Sequence, residues 1–409
     1  MATHPALDSA WRNVIRQVGR SRAALVAIVF GMVAMILASG FIAWNLEFGR
    51  ENTIRSQLGH IQVVKPGFLE GGRADPHAYL LGPPSPAELS TLASLAGFTA
   101  SAPRMLISGL ASSGEQTLSF IGEGVDPAAE ALLSAALRFP EGRNLMAGET
   151  NTVIVGRGLA DNLQIAVGER LVLISNTPDG GISAVEATLV GVFESITKAY
   201  DDVALRVPIA LARALTRAEG EHLRLILLDR TEETDGAVTL LRERLAAERL
   251  EFVPWHDLAD FYKKSAELLS KQVGVIYVII AVIIVLSISN TMMMVVMERT
   301  GEIGTIMALG ARRHAVLTMF MLEGCILGAV GVVAGLALAV VCALVLSAIG
   351  IPMPPGPGMA WGFDAGIRLS AQNLTTASVV AFSTTVLASI YPAWRASRLQ
   401  IVDALRARQ

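Results

Sequence analysis

Charge is scarce in this chain: Asp, Glu, Lys and Arg make up 17% of 409 residues, against 52% hydrophobic. A soluble globular protein carries roughly a quarter charged residues. The shortage excludes an ordinary soluble protein and points to membrane-spanning segments. Basic excess is missing too, since 33 Lys+Arg face 36 Asp+Glu for a net charge of −3. No nucleic-acid partner is therefore implied. Cysteine is rare: Cys325 and Cys342 fall in one apolar segment. If that segment is one helix, its rise of about 1.5 Å per residue holds them beyond disulfide reach. The long middle region has no cysteine and depends on its own apolar core.

Catalytic signatures are also lacking. The sequence holds no Gly-x-x-x-x-Gly-Lys-Ser/Thr phosphate loop, no Gly-x-Ser-x-Gly elbow and no His-Glu-x-x-His pair. His60, His77, His222 and His256 are scattered without metal-ligand spacing. No catalytic residue, metal site or cofactor bound by these residues is expected. Asp201-Asp202 beside Tyr200 is a tight acidic pair, read as a solvated loop. Any ATP and Mg would act through a partner ATPase.

Four long charge-poor runs are present. Ala23–Leu46 is uncharged, Val273–Met297 is uncharged, Ala315–Ile349 contains only Glu323, and Leu374–Trp394 is uncharged. Each is long enough for a hydrocarbon core of about 30 Å. The first exceeds the ~7–15 residues of a signal-peptide core, which favours an uncleaved span over cleavage near Ala38-Ser39-Gly40. Arginines cluster before the first run (Arg12, Arg16, Arg20, Arg22), between the second and third (Arg299, Arg312, Arg313), and after the fourth (Arg395, Arg398, Arg406, Arg408). The link between the third and fourth carries only Arg368. With four spans, the positive-inside rule places all three basic segments, and both termini, in the cytoplasm.

The expected organisation follows: residues 1–22 an amphipathic helix, 23–47 the first span, 48–271 an extracytoplasmic domain, 272–297 the second span. Residues 298–314 form a cytoplasmic link, 315–349 the third span, 350–372 an outer loop, 373–394 the fourth span and 395–409 a tail. In the leader, Leu7, Trp11, Val14, Ile15 and Val18 recur at helical spacing, which suits a helix lying on the membrane surface. The large domain mixes two periods. Apolar β-rich runs at His60–Val64, Met105–Leu110, Leu118–Ile121, Thr152–Val155, Arg170–Ser175, Ala187–Phe193, Val203–Val207 and Leu223–Leu228 alternate with helical patterns. This predicts an α+β domain. Pro178-Asp179-Gly180-Gly181 reads as a turn between strands. Trp255–Ser270 reads as a helix running into the second span.

Within the link, Ile303, Ile306, Met307 and Gly310 recur at three- and four-residue intervals, giving a short helix with one apolar face. Periodicity alone serves equally a helix docked in a partner's groove and one folded onto the membrane surface. In the third span, Gly324/Gly328 and Gly331/Gly335 permit close helix approach, within the subunit or at a dimer seam. Glu323 is costly in lipid; snorkelling toward Arg312 or Arg313, or pairing with a neighbouring basic residue, would relieve it. Phe41, Ile42, Asn45 and Phe48, with Val275, Ile276 and Ile279, mark the outer ends of spans one and two. They are candidates for the wall of an apolar substrate cavity between two subunits. The segment from Gly350 to Ser370 is too rich in proline and glycine for a regular helix, with Trp361 and Phe363 expected at the outer interface.

The stretch "ERTGEIGTIMALGA" from Glu298 resembles the signature of the FtsX/MacB permease family of ABC transporters. The tail "YPAWRASRLQIVDALR" and the opening "AWRNVIRQVGRSRAALV" resemble that family's closing motif and amphipathic leading helix. The resemblance covers the whole order of one span, a large outer domain and three spans. It implies a MacB-like periplasmic core, an inner-membrane location, and a coupling helix at Glu302–Gly310 that docks on the ATPase with Glu298, Glu302, Ile303, Ile306, Met307 and Gly310. It further implies a separate ABC ATPase subunit as partner, a second permease copy or a related permease, membrane lipid, and a periplasmic carrier or adaptor. ATP-driven movement of the spans would do work in the outer domain, termed mechanotransmission. The LolC/LolE-like lipoprotein-releasing branch is the favoured function. MacB-like export of a drug, peptide or toxin through an adaptor and outer-membrane channel is one alternative, and FtsX-like regulation of cell-wall hydrolases another.

Overall fold

The computed structural model describes residues 18–72, 75–355 and 359–399. Leu7, Trp11, Val14 and Ile15 of the leading stripe, and Arg406 and Arg408 of the tail, lie outside them. The chain divides into two compact units, Met1–Glu47 with Ser265–Pro352 and Asp364–Gln409, and Phe48–Lys264 with Met353–Phe363.

The first unit is helical. Val18–Thr53, Asp260–Glu298, Arg313–Ile349 and Ala371–Ser397 are its long helices, and all four are long and apolar enough to cross a membrane. All four outrun the apolar segments read from sequence, the second by starting at Asp260 rather than Val273. The first continues past Glu47 because Asn45 and Asn52 fold their amides back onto the carbonyls of Phe41 (2.9 Å) and Phe48 (2.8 Å). The fourth begins at an N-cap, the Ser370 hydroxyl accepting from the Asn373 N–H at 3.1 Å. Their shared core is built from Ile28, Met32, Ile36, Ile284, Ile288 and Phe320, all essentially inaccessible.

Glycine sets how closely these helices pack, and the two Gly-x-x-x-Gly spacings of the third helix serve different neighbours. A Cβ at Gly324 or Gly328 would meet Ser389 or Thr385 of the fourth helix; one at Gly331 or Gly335 would meet Ile28 or Met32 of the first. The contacts lie within one subunit. Glu323 is buried and pairs with Arg299 at 3.0 Å rather than with Arg312 or Arg313.

The second unit is an α+β domain around a mixed sheet, with ten strands among the described residues. In chain order they are β1 (Ile61–Val64), β2 (Phe98–Ser112), β3 (Thr117–Val125), β4 (Arg138–Gly142), β5 (Thr152–Gly156), β6 (Arg170–Asn176), β7 (Ile182–Glu194), β8 (Ala204–Pro208), β9 (Leu223–Leu228) and β10 (Glu251–Pro254). The spatial order is β10-β1-β9-β2-β3-β8-β5-β7-β4, with β6 paired to both β2 and β7. Among the described residues, β3–β8 and β5–β7 pair in parallel. Alternation along β9 shows why its run is apolar apart from Arg224. Leu223, Leu225 and Leu227 enter one core with Ile54, Val64 and Trp255, while Ile226 and Leu228 enter another with Ile61, Leu92, Leu241 and Phe252. A strand covered on both faces cannot alternate with polar residues.

The turn between β6 and β7 spans the Pro178–Gly181 segment, closed by Gly180 N–H to Thr177 O at 3.0 Å, with Gly180 at φ +77°. Strand β4 escaped the sequence reading because Arg-Phe-Pro-Glu-Gly is mostly exposed and has no apolar run. The helix expected over Trp255–Ser270 is broken: Ala259 leaves helical geometry between Trp255–Leu258 and the helix that starts at Asp260. Asp201 is not in a solvated loop. It is 2% exposed, and its carboxylate accepts the Ser195 N–H, 3.0 Å from each oxygen.

The proline-rich link is stitched to this same unit. Met359 bridges Thr197, the Ala360 N–H donates to Ile196 O at 3.3 Å, and the Arg138 guanidinium lies 3.5 Å from the Trp361 ring centre. Phe363 stacks on Phe48 with centroids 4.4 Å apart, and Trp361 meets Phe48 edge-on at 6.1 Å. The aromatic residues therefore pack on protein.

Candidate functional site

The link between the second and third membrane helices folds as a helix over Thr300–Ala308. Its stop is a glycine motif: the Gly310 N–H donates to Met307 O (3.1 Å) and the Ala311 N–H to Ile306 O (3.2 Å). This six-to-one, five-to-two pattern requires the left-handed φ of +97° that Gly310 adopts. Gly310 thus ends the helix rather than extending its apolar face.

The apolar residues split into two sets. Ile303 (1% exposed) and Met307 (8%) face inward and complete the membrane unit's core, while Ile306 (42%) and Leu309 (84%) are exposed. The single face read from sequence gives way to this division because the helix lies against its own unit, so the inward positions are spent on packing. Leu309 was not among the sequence candidates. It sits in the C-cap, three residues after Ile306.

Arg299 pins the helix. Its guanidinium donates to Glu323 (3.0 Å) and Glu302 (3.1 Å) and lies 5.9 Å from the Phe320 ring centre. The pair with Glu323 is the more buried, with side chains 12% and 7% exposed. A charge pair this enclosed is costly to break from one side, so it fixes where the exposed face sits. A cleft of about 610 Å³ opens beside that face, lined by Met297, Glu298, Thr300, Gly301, Glu302, Thr305 and Ile306. Acidic Glu298 and Glu302, the latter paired with Arg299, line it beside apolar Met297 and Ile306.

The proposed cavity residues do not all share one environment. Phe41, Ile42, Asn45 and Ile276 are half-buried, and Val275 (59%) and Ile279 (53%) are exposed. Phe48 belongs to the other unit and is occupied by its stack with Phe363 and Trp361.

In the α+β unit the structure reveals a polar grip on the chain that follows the first membrane helix. That helix passes directly into a π-helical turn, Ile54–Leu58, and Gly59 (φ +64°) redirects the chain into β1. Arg206, fully buried, donates to the Ser56 carbonyl (2.7 Å), to Glu130 (3.0 Å) and to the Ser134 hydroxyl (2.5 Å). Arg104 lies alongside and pairs with Glu123 and with Glu130, the latter at 2.6 Å. Burial, and then the Glu123 charge, push the Tyr200 hydroxyl up from its ordinary range against the opposing pull of Arg206 and Arg104. Nearby, Glu51 accepts from the Thr231 hydroxyl (2.8 Å), which lies 3.0 Å from His60 Nε2, while His60 Nδ1 accepts the Leu228 N–H (3.1 Å). Burial depresses the His60 pKa to about 4, so the ring stays neutral. One signal for this grip was available in the sequence: Arg206 is a lone charge inside the otherwise apolar strand ALRVP.

Residues 22–243 match the family described as MacB-like periplasmic core domain, and residues 274–401 match FtsX-like permease C-terminal. The macrolide export ATP-binding/permease protein MacB of Rhodospirillum rubrum is 27% identical over 98% of this chain and 60% of its own length. LolC, the lipoprotein-releasing system transmembrane protein of Neisseria meningitidis, is 25% identical over 66% of this chain and 68% of its own. An uncharacterized ABC transporter permease of Methanocaldococcus jannaschii is 26% identical over 65% of each. The chain thus spans about 60% of the length of the MacB relative. The periplasmic region of MacB from Actinobacillus actinomycetemcomitans aligns with 50% of this chain and 93% of its own at 11% identity and a TM-score of 0.35.

Proposed function

The chain belongs to the FtsX-like permease family with a MacB-like periplasmic core, and from that premise we propose that it is the transmembrane subunit of an ABC transporter. An ATPase on a separate chain, binding ATP and Mg, docks on the Thr300–Ala308 helix. Its cycle moves the membrane helices of a pair of permease subunits in the inner membrane, and the movement does work in the outer domain. Both termini lie in the cytoplasm in this reading. The cargo class that fits best is a lipidated protein or lipid taken from the outer leaflet and passed to a periplasmic carrier.

The observation that carries the docking assignment is the exposure of Ile306 and Leu309 on a helix anchored by Arg299–Glu323. Burying two such side chains on association contributes about 1.5–3 kcal/mol each. Ile306→Glu and Leu309→Glu are each expected to weaken ATPase retention on purification from the native membrane by roughly 10- to 100-fold. Full retention by both variants overturns the docking site. Ile303→Glu is the contrasting case, expected to damage the membrane unit itself.

MacB-like export is the second reading, favoured by the alignment to a MacB protein over 98% of the chain. The proteins and lipids that co-purify decide between them. A lipidated protein supports extraction, an adaptor with an outer-membrane channel supports export, and a cell-wall hydrolase would replace both with a regulatory role.

A further inference from the structure

A cavity of about 290 Å³ opens within the α+β unit, where the chain leaves the first membrane helix and enters the second. Ser56 lines it and is 2% exposed, yet its hydroxyl has no hydrogen-bond partner among the described residues. The local helix type accounts for this. In an α-helical turn a hydroxyl can fold back onto the carbonyl four residues earlier, as Thr53 does to Gly49 O (2.8 Å). Ser56 lies in the π-helical turn, where the closing bond runs five residues, from the Gly59 N–H to Ile54 O (2.9 Å). A buried hydroxyl left over in this way is costly unless something outside the chain completes it.

Three more polar groups line the same cavity without partners. The side chains of Gln57 and Asp260 make no hydrogen bond or ion pair among the described residues. The Tyr262 ring packs on Trp255 (centroids 5.3 Å apart), but its hydroxyl bonds none of the described residues. Asp257, three residues before Asp260, is by contrast paired with Lys263 at 3.3 Å.

The composition of the wall selects the ligand. Asp260 is its one charged side chain and no basic residue lines it. A carboxylate only accepts, and hydroxyls and amides accept as well as donate. Phosphates and carboxylates are repelled, and a neutral polyol leaves Asp260 uncompensated. A primary ammonium offers one positive charge and three donors. Small-molecule sites run about 300–1,000 Å³, so this one has room for a small head and a short stem beside Leu58 and Leu258.

We propose that the cavity binds a primary ammonium group, with Asp260 as counter-ion and Ser56, Gln57 and Tyr262 as hydrogen-bond partners. Occupied, it ties the residues that follow the first membrane helix to those that open the second. Two sources carry this chemistry, a free small amine and the headgroup of an ethanolamine lipid. Thr53 stands seven residues beyond Leu46 on the same helix, about 10 Å along its axis, so both sources are available to it. The inference rests on neither the ATPase docking site nor the cargo.

The test uses the full chain in phosphatidylcholine nanodiscs without nucleotide, because a choline headgroup has no N–H to donate. Calorimetric titration with ethanolamine probes the free amine, and nanodiscs containing phosphatidylethanolamine probe the headgroup through a raised melting temperature. Saturable binding of ethanolamine assigns a free amine. A response to the lipid alone assigns the headgroup, and either result supports the ammonium site. Asp260→Asn is expected to weaken binding about 10- to 100-fold and Ser56→Ala about 2- to 10-fold, while Asp257→Asn leaves it unchanged. Ser56→Ala should melt no lower than wild type without ligand, since it removes an unpaired group, and this separates lost binding from lost folding. No response to either probe, ethylene glycol binding as tightly as ethanolamine, or wild-type binding by Asp260→Asn overturns the proposal.

Discussion

At Asp201 the fold encloses a carboxylate that accepts the Ser195 N–H, and burial pushes its pKa up to about 6 from 3.8. Between those values the folded state holds more protons than the unfolded one. The group's contribution is therefore full below about pH 4 and is lost as pH rises through about 6. Asp201→Asn cannot lose it. The melting temperature of the variant relative to wild type should climb from pH 4 to 6 and level off above 7, the full effect being on the order of 2–3 kcal/mol. A difference that does not change with pH would refute the assignment. Arg206 sits at the opposite extreme, a cation that two glutamates depend on. Arg206→Met should cost about 3–5 kcal/mol by leaving carboxylates uncompensated, read as a melting temperature lower by roughly 6–20 °C for a unit of this size.

The third membrane helix shows what sequence can and cannot deliver about an element. Its span was legible from an apolar run interrupted only by Glu323, and its glycines from their spacing. Which neighbour each glycine serves was not, because spacing fixes a face of one helix and says nothing of the helix opposite. The contrast between Gly331 and Gly274 makes the point testable. A side chain at Gly331 would lie 2.7 Å from Ile28 Cγ2, whereas nothing lies within 4 Å of Gly274. Gly331→Leu is expected to cost about 1–3 kcal/mol by overpacking and Gly274→Leu essentially nothing, compared by thermal stability in detergent. In the α+β unit, strands with alternating or continuous apolar runs were readable, and exposed β4 was not. The link helix was legible as a helix; its division into buried Ile303 and Met307 and exposed Ile306 and Leu309 depended on tertiary packing that no period encodes.

For the whole molecule, the topology expected from arginine placement puts the β6–β7 turn outside the cytoplasm. Asp179→Cys in the background lacking Cys325 and Cys342 should react with a membrane-impermeant reagent in intact spheroplasts, and protection there until lysis would invert the arrangement. The α+β unit is assembled from two separate stretches, Phe48–Lys264 and Met353–Phe363, joined by the Thr197–Met359 bridge and the stacking of Phe363 on Phe48. During translation the second stretch leaves the ribosome only after the third membrane helix has been made. At about 5–20 residues per second, the nascent α+β unit waits on the order of 5–20 s without those contacts. Its completion is thereby timed by synthesis of the third long helix, and a chain stalled before residue 353 would leave Phe48 without the stack of Phe363.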